Sequence, residues 1–309
     1  MPVLNQNQNQ NQNQSIAAGV ERSSRARYNT DIYARLFNTG GVVVPPSTNP
    51  GLAGASPPRN YPPFHDHWDA ELQAAMYLRD FELQFAGPPS WFDRYAALPA
   101  LGNVPGGNMS QAQMTQEVLR ILDLALERED RFAEVIDQDD GDGAINYWLG
   151  MLKIDPARHP NTYLMVRVAR RIGEHVVMCL KGFFAAPRPP QLCPAIVPMI
   201  DPPATPSFPA GHALQSHLES YLLAYSLPNL PGQQLPAAAA LARPGPQGSG
   251  PLFDLAWRVS ENRIVAGIHY PIDIEAGIAV AIACLQDLLQ VPSITNLMTA
   301  VAGEFPQYQ

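Results

Sequence analysis

Three separate stretches of the sequence have residue types and spacings that suit catalysis or anion binding. The first of them contains two cations. Lys181 falls near the end of a predicted helix, and Arg188 follows in a proline-stiffened turn, so two cations converge in an otherwise acidic chain. Lysine and arginine side chains neutralise the oxygens of an oxyanion, and arginine does so with a two-pronged fork. The stretch is therefore a candidate for holding a phosphate-like group.

The second stretch begins at Pro206 and leads into a predicted helix at Gly211 and His212. The prolines and Gly211 prepare a tight turn, so that the first backbone N–H groups of the helix point outward. Such groups bind anions because they have no partner within the helix and lie at the positive end of its dipole. His212 stands at the mouth of this predicted anion site.

The third stretch contains Arg263, then His269, then Asp273 four residues later. This four-residue spacing lets the carboxylate accept a hydrogen bond from one ring nitrogen, which fixes the tautomer and leaves the other nitrogen free. The three stretches together suit a tetrahedral oxyanion, because one histidine can attack it while the other donates a proton. Taken singly, each residue also has a structural explanation, such as an interior histidine or an ordinary ion pair.

In order and in spacing, the three stretches resemble the signature of the type-2 phosphatidic acid phosphatase and vanadium-dependent haloperoxidase superfamily. That signature reads K-x6-R-P, then P-S-G-H, then S-R-x5-H-x3-D. Three spaced motifs in the right order are far more specific than any one of them. The matching residues, spread over about a third of the chain, are Lys181, Arg188, Pro189, Gly211, His212, Arg263, His269 and Asp273.

Two positions depart from that signature. Ala210 stands where the family has a serine whose hydroxyl donates to the bound oxyanion. Losing one charge-assisted hydrogen bond costs about 1.5–3 kcal/mol. Asn262 replaces the serine before Arg263, which is a milder change because an amide still forms hydrogen bonds.

The resemblance implies a role for each matched residue. His269 is implied to be the nucleophile that forms a phosphohistidine, or the ligand of the metal if vanadate is bound. His212 is implied to protonate the leaving group and then to activate water, while Asp273 orients His269. The residues implied to surround the oxygens of phosphate or vanadate are Lys181, Arg188, Ala210, Gly211 and Arg263.

The same resemblance implies either of two activities at one pocket. We predict a metal-independent phosphoric ester hydrolase that needs no cofactor, because the Tyr270-Pro271 pair after His269 resembles the phosphatases. The alternative is a vanadium-dependent haloperoxidase, which takes vanadate as its cofactor and oxidises halide with hydrogen peroxide. In both cases the expected partners are small molecules, either a phosphate ester or halide and peroxide.

A third possibility is a structural or assembly protein without activity, in which Ala210 marks a degenerate pocket. The Asn-Gln alternation over 5–14 and the arginine-bearing arm that follows it favour this interpretation. We expect residues 1–38 to form a disordered tail and arm, through which the chain could form a homo-oligomer. Residues 39–309 are predicted to be a single all-α catalytic domain with its motif core at 160–290.

Composition disfavours other classes of protein. The 309 residues carry a net charge of −8, which argues against a nucleic-acid binder because such proteins need a basic surface. No run of about 18 apolar residues predicts a membrane-spanning helix, and the N-terminus has no export signal, so we expect a soluble, cytoplasmic protein. Three cysteines without metal-site spacing fit a reducing compartment.

Helical periodicity broken by proline-rich segments predicts an all-α bundle with long loops, the fold type of the superfamily that the motifs resemble. Ser110 is the predicted N-cap of a long helix that continues to about residue 136. The acidic stretch 137–143 lacks carboxylates at the first and last positions of a calcium loop, so we interpret it as a solvated loop. The other predicted helices cover 67–86, 144–153, 161–184, 211–226, 251–267 and 272–289.

Overall fold

Helices supply the regular structure in the computed structural model of this chain, which describes residues 68–139, 141–235 and 248–308. These residues contain no β-strand, only an isolated bridge between Gln234 and Ser249. The predicted all-α class is therefore confirmed. From Asp69 onward the described residues form one compact unit. The tail, arm and oligomer contact predicted within 1–38 lie outside the described residues, as does the boundary predicted at residue 39.

Several helices begin at a proline, whose missing N–H group is tolerated at a first helical position because that group has no partner within the helix. Short 3-10 turns at Pro99–Leu101, Ala125–Glu127 and Pro306–Tyr308 connect or follow the helices. In chain order the helices are α1 (Ala70–Gln84), α2 (Trp91–Ala96), α3 (Gln111–Leu124), α4 (Arg128–Asp137), α5 (Gly143–Met151), α6 (Pro160–Phe184), α7 (Pro189–Leu192), α8 (Gly211–Ser226), α9 (Pro251–Val265), α10 (Pro271–Leu288) and α11 (Pro292–Glu304).

The helices that carry the motifs lie where the sequence predicts them. The ends of α6, α8, α9 and α10 fall within about two residues of the predicted positions. The single helix predicted from Ser110 to about residue 136 is wrong, because the turn at Ala125–Glu127 divides it into α3 and α4. The turn brings Arg128 to the carbonyl oxygens of Val197 and Val265, which accept its hydrogen bonds at 2.6 and 2.9 Å.

Helix α8 lies at the centre of the fold and packs against α6, α9 and α10. Its buried side chains point in every direction and include Leu214, Leu218, Tyr221 and Leu222. A helix that is buried all round belongs to the interior of a protein. The motifs lie on or next to α6, α8, α9 and α10, so the packing of these helices around α8 brings the motifs together. Among the described helices, none combines the length and the apolar character needed to cross a bilayer.

Candidate active site

The turn between α9 and α10 carries His269 and Asp273. Gly267 adopts a φ of +77°, and an added Cβ there would lie 2.7 Å from a guanidinium nitrogen of Arg128, so the turn requires glycine. Oδ2 of Asp273 accepts hydrogen bonds from Nδ1 of His269 at 2.9 Å and from the backbone N–H of Tyr270 at 3.0 Å. One carboxylate therefore caps α10 and orients the imidazole, as the four-residue spacing predicts.

The protonation state of His269 follows from its two neighbours. Its Nε2 lies 3.1 Å from Nη1 of Arg188, which can only donate, so Nε2 is the acceptor and Nδ1 carries the proton that bonds Asp273. Burial, reinforced by the charges of Arg188 and Lys181, holds the pKa of His269 well below its ordinary value. The neutral ring therefore presents an electron pair on Nε2.

Ser207 is a third member of this group, and its spacing in the sequence does not reveal it. Its Oγ donates to Oδ2 of Asp273 at 2.5 Å and lies 3.4 Å from Nδ1 of His269. Burial raises the pKa of Asp273 to about 6, and the bonds from Ser207 and Tyr270 oppose that rise. The one sequence signal for Ser207 is its place inside the second stretch.

Lys181 and Arg188 join the first motif to the second through backbone carbonyl groups. Lys181, 4% exposed at the end of α6, donates from Nζ to the carbonyl oxygens of Pro206 and Ser207. Arg188 donates from Nε to the carbonyl oxygen of Thr205 at 2.9 Å. Burial lowers the pKa of Arg188 to about 10, so this guanidinium stays cationic at neutral pH. Burial and the charge of Arg188 hold the pKa of Lys181 well below its ordinary value.

Arg263 supplies a cation with spare hydrogen-bonding capacity. The side chain is fully buried, and burial lowers its pKa to about 10. Its Nη2 donates to the carbonyl oxygen of Val135 at 3.2 Å and to Oε1 of Gln138 at 3.1 Å. Within the described part of the chain, Nε and Nη1 have no hydrogen-bond acceptor, although Oδ1 of Asp139 forms an ion pair with Nη1 at 3.7 Å. Buried donors without acceptors are rare in proteins unless a ligand or water satisfies them.

His212 lies at the start of α8, where the sequence predicts it. Its Nε2 donates to the carbonyl oxygen of Gln138 at 3.2 Å. Burial and the charge of Arg263 hold the pKa of His212 well below its ordinary value. The charges of His212 and Arg263 in turn contribute to lowering the pKa of His269. Residues from all three motifs therefore share one buried electrostatic environment.

The start of α8 packs tightly against α10. Ala210 is the N-cap of α8 without a side-chain hydrogen bond to the helix, and its backbone N–H donates to the carbonyl oxygen of Asp273 at 2.9 Å. A Cβ on Gly277 would lie 2.6 Å from the carbonyl oxygen of Ala210, so only glycine permits this approach of α10. Gly211 follows as the first residue of α8, where backbone N–H groups have no partner within the helix.

The acidic stretch after α4 is only in part the solvated loop that the sequence predicts, because Asp137 and the side chain of Asp142 are exposed but Gln138 is not. Gln138 is 2% exposed, and its Oε1 accepts hydrogen bonds from Nδ2 of Asn262 at 3.0 Å and from Arg263. Farther along the chain, Asp142 pairs with Arg167 at 2.7 Å. The prediction misses the contacts of Gln138 and Asp142, because their partners on α9 and α6 are distant in the sequence.

A cavity of about 450 Å³ adjoins the cationic edge of the site. Its lining is mostly proline and alanine, with polar side chains from Arg188, Gln191 and Thr205. Pro206, whose carbonyl group accepts from Lys181, also lines it. The cavity therefore offers room for an organic group next to Arg188.

Comparison with known proteins gives no family for this chain. A scan against models of protein families finds no match, and a search of curated proteins finds no relative. Among the described residues, no three His, Cys, Asp or Glu side chains are grouped so that they could hold a metal ion. The resemblance to the phosphatase and haloperoxidase superfamily therefore rests on the three motifs themselves.

Proposed function

We propose that this chain is a metal-independent phosphoric ester hydrolase in which His269 forms a phosphohistidine. The proposal includes the fold type of the type-2 phosphatidic acid phosphatase and vanadium-dependent haloperoxidase superfamily. The state of His269 is the observation that carries it, because the neutral ring is oriented by Asp273 and presents the electron pair of Nε2 beside Arg188. An imidazole prepared in this way attacks phosphorus as a neutral nucleophile.

The first step moves the phosphoryl group to the protein. The electron pair on Nε2 of His269 forms a bond to phosphorus while the bond from phosphorus to the leaving oxygen breaks, and that oxygen takes a proton from His212. Asp273 balances the positive charge that develops on the ring. In the second step water attacks phosphorus and gives a proton to His212, and the N–P bond breaks to restore the electron pair.

Buried cations stabilise the group in transfer. Arg263 has two nitrogens, Nε and Nη1, that lack hydrogen-bond acceptors among the described residues, and either can donate to an oxygen of the group in transfer. Arg188 exchanges its contact with Nε2 of His269 for an oxygen of the substrate. Lys181 adds a third donor from the end of α6.

His212 determines the pH range of this chemistry. Because burial and Arg263 hold its pKa low, the ring is neutral at neutral pH before substrate binds. An anionic ester beside it offsets the charge of Arg263, which raises the pKa and favours the protonated ring that the first step requires. The proposal therefore favours hydrolysis on the acidic side of neutrality.

Vanadate fits the same donors, because it is a tetrahedral oxyanion like phosphate, and Nε2 of His269 is the atom that would hold it. Bound vanadate supplies the activation of hydrogen peroxide for the oxidation of halide. Haloperoxidase activity is therefore the second candidate, and the N–H groups of Arg263 without acceptors among the described residues support both activities equally.

Hydrolysis of p-nitrophenyl phosphate and of methyl p-nitrophenyl phosphate, with and without orthovanadate, tests the proposal. We expect turnover by the wild-type protein and inhibition by orthovanadate. His269→Ala should lose at least about a thousandfold in kcat, because the reaction loses its nucleophile. His175→Ala, at a partly exposed position on α6, is the matched control and should keep the wild-type rate.

Other outcomes favour the alternatives. Turnover of His269→Ala at the wild-type rate would remove the proposed nucleophile. Halide-dependent bromination of a dye after loading with vanadate, without ester hydrolysis, would favour the haloperoxidase. A folded protein that shows neither activity and forms large particles in light scattering would favour the assembly protein.

A further inference from the structure

Asp139 places a carboxylate among the cations of the proposed site. Its Oδ1 lies 3.7 Å from Nη1 of Arg263, a side chain with no exposure to solvent. Burial lowers the pKa of both Arg188 and Arg263, and the charge of Asp139 opposes that lowering in each. Asp139 therefore acts on cations from two motifs, although it belongs to none of the three.

Gln138, the residue before Asp139, fixes this part of the chain against the helices of the site. Its Oε1 accepts hydrogen bonds from Asn262 and Arg263, and its backbone carbonyl oxygen accepts one from His212. Gln138 is buried, so water does not compete strongly for these bonds. The position of Asp139 is consequently set by α8 and α9 as well as by the end of α4.

The charges that face the site nearly balance. The two histidine rings are neutral because their pKa values are low, so they add no charge. The guanidinium groups of Arg188 and Arg263 balance the carboxylates of Asp139 and Asp273, and without Asp139 one positive charge is left over. Lys181 also lies in this region, and burial holds its pKa well below its ordinary value.

A site with this balance distinguishes oxyanions by their charge. A phosphodiester carries one negative charge at neutral pH, whereas a monoester carries nearly two, because its second ionisation lies at about pH 6. The second charge of a monoester would face the carboxylate of Asp139. The side chain of Asp139 is 31% exposed, so solvent weakens this repulsion, but beside the buried guanidinium of Arg263 the effective dielectric constant is lower than in water and the repulsion is stronger than between two solvated charges.

We infer that Asp139 is a specificity-determining residue and that the site takes singly charged phosphodiesters in preference to doubly charged monoesters. This inference rests on the proposed function. With a diester, Nε2 of His269 bonds to phosphorus, one P–O bond breaks, and the alcohol leaves with a proton from His212. Water then attacks phosphorus and releases the monoester, whose second charge Asp139 repels, so that the same carboxylate assists product release.

The experiment compares kcat/KM for methyl p-nitrophenyl phosphate with kcat/KM for p-nitrophenyl phosphate at neutral pH. Asp139→Asn keeps the size of the side chain and removes its charge, so it should shift this ratio by about tenfold toward the monoester. Asp130→Asn makes the same change of charge at an exposed position on α4 and should leave the ratio unaltered. Asp139→Glu keeps a carboxylate and should retain the wild-type preference.

A purely structural role for Asp139 would lower both kcat/KM values together and leave their ratio unchanged. A second measurement does not depend on folding of the variants: competitive inhibition of the wild-type protein by dimethyl phosphate, which is singly charged, and by methyl phosphate, which is doubly charged. We expect dimethyl phosphate to bind more tightly, by about tenfold.

An unchanged ratio in folded Asp139→Asn, or tighter binding of methyl phosphate to the wild-type protein, would overturn this inference and leave the proposed hydrolase intact. A folded wild-type protein that hydrolyses neither ester and binds neither competitor would overturn this inference and the proposed hydrolase together.

Discussion

Arg188 forms hydrogen bonds in the site without substrate that bear directly on the proposed reaction. Its Nη1 donates to Nε2 of His269, while its Nε donates to the carbonyl oxygen of Thr205. In the proposed hydrolase, an ester oxygen replaces the imidazole as the acceptor of Nη1, and the bond to Thr205 keeps the guanidinium in position. One arginine can therefore hold the nucleophile in its reactive tautomer and then bind the substrate, without a large movement.

Ala210→Ser tests the anion site at the start of α8. A serine hydroxyl at this N-cap would donate to an oxyanion held beside Gly211, so the affinity for inorganic phosphate should rise by about tenfold or more. Isothermal titration calorimetry measures the change. Ala97→Ser makes the same substitution at an exposed position after α2 and should leave the affinity as it is. Unchanged phosphate affinity in folded Ala210→Ser would contradict this placement of the anion.

Some of the site is predictable at the residue scale and some is not. The pairing of His269 with Asp273 follows from spacing, because residues four apart near a helix start lie on the same side. Ser207 lies 66 residues from its partner Asp273, and Gln138 lies 124 residues from its partner Asn262. Only the packing of helices brings such partners together, so no local pattern predicts them.

At the scale of elements, prolines make the helix starts near the site predictable. Proline occupies the first position of α6, α9 and α10, each of which begins within about one residue of its predicted start. The break between α3 and α4 has no such signal. It depends on the contacts of Arg128 with carbonyl groups that precede α8 and end α9, which are set by tertiary structure.

The helices that the periodicity does not predict are either short or begin at a proline. Helix α2 spans six residues, too few for a periodic pattern, yet Ser90 and Asp93 form a capping box at its start. Helix α7 is only four residues long. Helix α11 begins at Pro292, and a proline at this position is a known signal for the start of a helix.

At the scale of the whole molecule, the described part of the chain buries several ionisable groups. The side chains of Lys181, Arg188 and Arg263 have almost no exposure, and Asp273 and Glu219 are buried carboxyl groups. Burying a charge costs stability unless partners compensate it, and shifted pKa values of this kind concentrate at functional sites. We therefore expect these buried groups to lower the stability of the fold.

The variant Glu219→Gln tests the stability cost of burying an ionisable side chain, through the pH dependence of the free energy of unfolding. Burial raises the pKa of Glu219 from 4.5 to about 8, so between those values the folded protein keeps a proton that the unfolded chain has lost. Wild-type stability should consequently fall as the pH rises through this window, by an amount on the order of a few kcal/mol. Glutamine resembles the protonated acid, so the variant should match the wild type at about pH 5 and exceed it at about pH 9.

Urea unfolding at both pH values measures this difference. Glu275→Gln, at an exposed position on α10, is the control and should differ little from the wild type at either pH. A stability difference between Glu219→Gln and the wild type that stays constant over this range would show that Glu219 does not titrate as its burial requires.

The phosphohistidine itself can be measured directly. The wild-type protein is mixed with p-nitrophenyl phosphate, quenched in alkali, under which an N–P bond survives, and digested for mass spectrometry. The account predicts a phosphoryl group on the peptide that contains His269, and no labelled peptide in His269→Ala. Turnover without any phosphorylated histidine, or with the phosphoryl group on another residue, would contradict it.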